Sequence, residues 1–166
     1  MKGWKITLSY SGIETVLSPI KSEINQVIHS SNESEYFLSD VPAKTKDLSS
    51  WIDLGNLFFD SGRNEQAIVA YSKALEIDSK NVYVLTDLGV MYRRTGKITE
   101  SINAFNMALK INPDAQMAMF NKGIVFYYDL GNITGALDIW NELLLKNPDF
   151  IMPTEQRLDE YLSLIK

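Results

Sequence analysis

Three segments of this 166-residue chain superimpose at a period of about 34 residues, and such a period restricts the fold more than any other feature of the sequence. They run from Leu48 to Asn81, Val82 to Ala115 and Gln116 to Phe150. Aligned on one glycine each, they place Trp51, Leu85 and Met119 four residues before Gly55, Gly89 and Gly123, and Phe58, Tyr92 and Phe126 three residues after. Downstream, Ala67, Ser101 and Ala136 share a small-residue position and are followed four residues on by Tyr71, Phe105 and Trp140. Ala74, Ala108 and Leu143 come next, and the units end near Asp78-Ser79, Asn112-Pro113 and Asn147-Pro148, where proline twice forbids helix continuation. Units of this length cannot bury an apolar face alone, so they stack on their neighbours and need caps at the ends.

These residues resemble the tetratricopeptide repeat family, whose pattern is a Trp-x-x-Leu-Gly-x-x-Tyr helix, an Ala-x-x-x-Phe-x-x-Ala helix and a proline stop. The resemblance covers residues 48–150 and implies an all-α fold: an α-solenoid of three helix-turn-helix repeats (48–81, 82–115, 116–150). Three positions depart from the pattern, with Lys122 for leucine, Ser79 for proline and Leu143 for alanine. The third repeat also carries one extra residue within Tyr128-Asp129-Leu130-Gly131, which bears on the aim of its second helix.

Elementary physics reaches the same hairpins. A helix-interior glycine costs about 1 kcal/mol against alanine, so three at one phase need a reason, and close helix approach supplies one. Gly55 opposite Ala67 is expected to let two helix backbones touch, with Trp51, Phe58 and Tyr71 filling the wedge around them. Residues 151–166 read as a C-terminal capping helix that starts at Pro153, with Leu158, Tyr161, Leu162 and Ile165 on one face and Leu143 beneath. Residues 1–47 do not fit the repeat. Trp4, Ile6, Leu8 and Tyr10 alternate with polar residues over a strand-like stretch 4–10, Ser18-Pro19 opens a short helix 19–29, and a polar linker around Tyr36-Phe37-Leu38 follows. This N-terminal segment is expected to be partly ordered: four apolar residues on one strand make no stable sheet, so it docks on the repeats, pairs with a second copy or stays loose.

Composition removes whole classes of chemistry. Zero cysteines exclude disulfides, thiolate metal sites and cysteine nucleophiles. His29 is the single histidine, and the adjoining Ser30 and Ser31 do not point toward it from a helix end, so no catalytic residues, no metal ligands and no cofactor are expected. Sixteen basic against 21 acidic side chains leave a net charge of −5, which opposes nucleic-acid binding. No apolar run approaches a bilayer span and no apolar stretch follows Lys2 and Lys5, so a cytoplasmic protein is the expectation.

In the family this chain resembles, the first helix of each repeat lines an inner groove that binds peptides, at positions two, five, nine, twelve and thirteen. Those positions hold Ser49, Ile52, Asn56, Phe59 and Asp60; Tyr83, Thr86, Val90, Arg93 and Arg94; Met117, Phe120, Ile124, Tyr127 and Tyr128. The candidate peptide-binding residues are Asn56, Phe59, Tyr83, Val90, Arg93, Met117, Phe120, Ile124 and Tyr127. A family subgroup grips a terminal carboxylate, but of that residue set only Asn56 is present; Ile52, Asp87, Met117 and Asn121 stand at the other places. Half-exposed, Phe59, Tyr83, Phe120 and Tyr127 would present roughly 300 to 500 Å² of ring surface, about as much as monomers leave bare. The expected function is a non-enzymatic scaffold binding an apolar peptide segment of a partner protein. The alternatives are a groove filled by the chain's own N-terminal segment, in cis or in a homo-dimer, and an assembly role like that of the similar tetratricopeptide proteins of cytochrome c maturation.

Overall fold

The computed structural model describes residues 47–165. The strand-like stretch 4–10, the helix 19–29, the linker with Tyr36-Phe37-Leu38, and His29 lie outside the described residues. Within them, three helical hairpins follow one another: α1 (Leu48–Asp60) with α2 (Asn64–Ile77), α3 (Val82–Arg94) with α4 (Ile98–Ile111), and α5 (Gln116–Ile124) with α6 (Ile133–Lys146). A final helix, α7 (Leu158–Leu164), closes the stack.

Three helix starts are closed by side-chain caps. Asp47, Asn81 and Asn132 cap α1, α3 and α6 by accepting from the backbone N–H of Ser50, Val84 and Gly135 at 2.8, 3.2 and 2.9 Å. Each first helix turns into its second through a glycine in the left-handed region, Gly62, Gly96 and Gly131 at φ 72°, 75° and 63°, where a side chain would be strained. The second helices all stop alike. The backbone N–H groups of Asp78, Asn112 and Asn147 donate to the carbonyls of Ala74, Ala108 and Leu143 at 2.8 to 2.9 Å, and the chain leaves the helical path.

The glycines at one phase do bring helices close, and the small residues Ala67, Ser101 and Ala136 are fully buried. A side-chain carbon on Gly55, Gly89 or Gly123 would lie only 2.4, 2.6 or 2.2 Å from the ring of Tyr71, Phe105 or Trp140. Each hairpin thus seats the buried aromatic of its second helix on the bare backbone of its first. The rings that carry polar atoms are satisfied there: the Tyr71 hydroxyl donates to Asn56 Oδ1 at 2.8 Å, and Trp140 Nε1 donates to the Phe120 carbonyl at 3.1 Å. In the middle hairpin Ser101 Oγ reaches the Gly89 carbonyl at 2.7 Å.

The extra residue of the third repeat is absorbed locally. Residues Val125–Asp129 form a π-helical turn at the end of α5, in which Leu130 N–H reaches back to the Val125 carbonyl at 3.1 Å. The equivalent reach-back across the glycine turn spans five residues in the first two hairpins, Arg63 to Phe58 and Lys97 to Tyr92, and six in the third, Asn132 to Phe126. One wide turn takes up the insertion, and Trp140 still lands on Gly123.

The cap begins later than its proline predicts. Pro153 lies in a turn closed by an antiparallel bridge between Ile151 and Arg157, and α7 starts only at Leu158. Phe150 and Met152 are buried anchors of this turn, and Arg157 ties it outside by pairing with Asp149 and Asp159 at 2.7 and 2.9 Å. Leu143 shares one apolar core with Trp140, Phe150, Met152, Leu158 and Leu162, so the large residue at an alanine position meets the cap.

Candidate peptide-binding face

Each first helix buries one side and leaves a regular stripe that is exposed or half-buried. Helix α1 buries Trp51, Leu54 and Phe58 and leaves Ser49, Asp53, Asn56 and Asp60; α3 buries Val84, Leu85, Leu88 and Met91 and leaves Tyr83, Asp87, Val90 and Arg94. Helix α5 with its π turn leaves Met117, Asn121, Ile124 and Tyr128. All three stripes step by four, three and four residues, which keeps one helix face toward solvent. The first helices are neighbours: the Arg94 guanidinium of α3 lies 4.3 Å from the Phe59 ring centroid on α1, and Arg93 Nε donates to the Asp129 carboxylate beyond α5.

The face is divided by chemistry. Its α3 and α5 part is apolar, with Tyr83 84%, Tyr128 58% and Met117 42% exposed and Val90 and Ile124 half-buried beside them. Tyr128 shares a 2.7 Å hydroxyl–hydroxyl bond with Tyr161 of α7, and burial with that bond pushes the Tyr161 hydroxyl up to about 12. The α1 part is acidic. Asp87 sits where the two parts meet; burial, and then the nearby Asp60 charge, push its carboxyl up to about 6. Asp53 is also raised, by burial first and then by Asp47. The Tyr71 hydroxyl behind them is pushed well above its ordinary value by burial and by the charges of Asp87 and Asp60.

Of the nine residues marked in the sequence, Asn56, Tyr83, Val90, Met117 and Ile124 lie on the stripes. Asn56 is already engaged by the Tyr71 hydroxyl. Phe59, Arg93 and Tyr127 lie one residue before the stripe position and are half-buried: Phe59 beneath Arg94, Arg93 held by Asp129, Tyr127 against Trp140 and Tyr128 with centroids at 5.7 and 4.8 Å. Phe120 is not half-exposed. It is 7% exposed, in the C-terminal core beside Trp140 and Phe150 with centroids at 6.3 and 5.5 Å. Thr86, at the same phase, is buried and donates to the Val82 carbonyl. The stripe passes through the next residue instead, so Asp53, Asp87 and Asn121 belong to the face and Thr86 and Phe120 to the packing. Counting four, three and four from Tyr83 would have found this.

Among the described residues, no group of three histidine, cysteine or acidic side chains is placed to hold a metal ion, and no helix is long and apolar enough to cross a membrane.

Two family models match the chain, one described as TPR repeat over residues 55–95 and one as tetratricopeptide repeat over residues 86–150. No curated protein matches it significantly. The crystal structure of MamA is similar at TM-score 0.63 and 18% identity, over 88% of this chain and 79% of that one. The first TPR of Spaghetti (RPAP3) bound to an HSP90 peptide gives TM-score 0.61 and 20% identity, over 74% and 96% of the two chains. The second TPR domain of human RPAP3, in complex with an HSP70 peptide, gives 0.59 and 23%, over 69% and 91%. The repeats read in the sequence, the hairpins built on them and the two models across residues 55–150 agree, and the chain belongs to the tetratricopeptide repeat family.

Proposed function

We propose that this protein is a non-enzymatic interaction module that holds a peptide segment of a partner protein along the stripes of α1, α3 and α5. The observation that carries the reading is the row of uncovered apolar side chains, Tyr83, Met117 and Tyr128 above all, on a face whose helices are fixed by the hairpin cores beneath. Two of the similar structures hold bound peptides, which supports the same use of this architecture. A rigid face binds a flexible segment well because only the peptide is ordered on binding. Two or three buried anchors contribute roughly 1.5 to 3 kcal/mol each, enough for micromolar affinity after that ordering.

Peptides selected by display against the full chain test this directly. The double variant Tyr83→Ala with Met117→Ala should lose the selected peptides, while Asn103→Ala, on the exposed side of α4, should keep them. Equal binding by all three proteins would reject the face. The partner is expected to be a protein, held without any cofactor.

A further inference from the structure

Resting on the reading of this face as a peptide site, we infer that its occupant sets a cationic group, a lysine or arginine side chain or a free amino terminus, against Asp87 and the acidic stripe of α1, and apolar side chains against α3 and α5. Negative charge outweighs positive across the face. Of the cations here, Arg93 is held by Asp129, Lys122 lies off the stripe at 5.8 Å from the Phe126 ring centroid, and Arg94 lies over the Phe59 ring at 4.3 Å. Among the described residues Asp53, Asp60 and Asp87 make no hydrogen bond and no ion pair. A peptide carboxylate laid here would meet three unpaired carboxylates against the single Arg94 guanidinium, whereas an ammonium or guanidinium would find partners that the chain leaves vacant.

Position sharpens the match. Asp87 follows Tyr83 by one helical turn on the same stripe, with Met117 at the corresponding place of the next repeat. A short segment can therefore lay an apolar side chain beside Tyr83 and Met117 while a neighbouring basic residue turns toward Asp87 and Asp60. Half-burial strengthens an ion pair formed at Asp87, because less water competes for the charge. The raised affinity of that carboxyl for a proton is the same desolvation felt without a partner.

Three short peptides with blocked ends, titrated into the full chain by fluorescence anisotropy, test the inference. One carries lysines at one end and leucines at the other; its twins carry glutamates or glutamines in place of the lysines. The lysine peptide should bind about tenfold or more tighter than the glutamate twin, with the glutamine twin between, and the spread should narrow as salt rises. Asp60→Asn with Asp87→Asn should bring the lysine peptide close to the glutamine twin while leaving the latter's affinity unchanged. A glutamate peptide that binds as well as the lysine one overturns the charge assignment and leaves the peptide face standing. Absence of binding by all three, or binding that Tyr83→Ala with Met117→Ala does not weaken, overturns both.

Discussion

Asp87→Asn is expected to make the fold more stable. The substitution keeps the shape of the side chain and removes a half-buried charge whose carboxyl is pushed from the ordinary 3.8 up to about 6. The sign follows from linkage. A carboxyl that holds its proton more tightly in the folded state than in the unfolded one penalises folding when ionised; the penalty is complete above pH 6, shrinks as pH falls through that value and vanishes below the unfolded pKa. A displacement of about two pH units at about 1.4 kcal/mol each sets an upper value near 3 kcal/mol at neutral pH. The surface that Asp87 keeps in water lowers this toward about 1 to 2 kcal/mol. Asp60 from α1 is part of the effect, because its repulsion of an ionised Asp87 is lost in the variant, while the Tyr71 hydroxyl from α2 stays neutral at both pH values. Urea unfolding of the two proteins at about pH 7.5 and about pH 5 reads the effect. The variant should lead by about 1 to 2 kcal/mol at the higher pH and by less than two thirds of that at the lower. A variant no more stable than the parent, or a lead independent of pH, would refute the reasoning. The gain in stability should come with a loss of affinity for basic peptides, since one charge serves binding and strains the fold.

Gly89→Ala should destabilise despite alanine's better helix propensity, because the new carbon would lie 2.6 Å from the buried Phe105 ring; overpacking of about 1 to 3 kcal/mol outweighs a gain of about 1, and Phe105→Leu should relieve it in calorimetric melts of the double variant. Leu158→Ala should cost about 2 to 5 kcal/mol, since that side chain is fully buried between α7 and Leu143, whereas Leu164→Ala at the exposed end of the same helix should change the midpoint of urea unfolding little. Trp140→Phe should cost about 1 to 3 kcal/mol by leaving the Phe120 carbonyl without its indole donor, measured by the same unfolding.

The hairpins were legible because every level of the sequence repeats them: glycine, aromatic, alanine and stop return at one period, and the physics of burial gives each a place. What the glycines accommodate was not legible. The sequence reading put Tyr71 among the residues around Gly55; the structure seats the Tyr71, Phe105 and Trp140 rings directly on the three glycines, a contact that residue types and spacing alone do not specify. The insertion in repeat three gave no sign of its remedy, since a π turn depends on tertiary demand from Trp140 and not on local preference. Pro153 suggested a helix start on local grounds, but burial of Phe150 and Met152 fixes the turn around it first. At the candidate face the stripe runs through positions two, six, nine and thirteen, so positions five and twelve fall one residue before it. Asp53 was missed, and Asp87, named only as standing where a carboxylate-gripping residue would be, was left out of an aromatic picture that Phe120 in the core does not support.

The most direct test of the account maps amide chemical shifts of the full chain on adding the lysine-leucine peptide. Perturbations should gather on Asn56, Tyr83, Asp87, Val90, Met117, Asn121 and Ile124 and spare the exposed sides of α2, α4 and α6. Perturbations concentrated on those second helices, with the first helices silent, would contradict it.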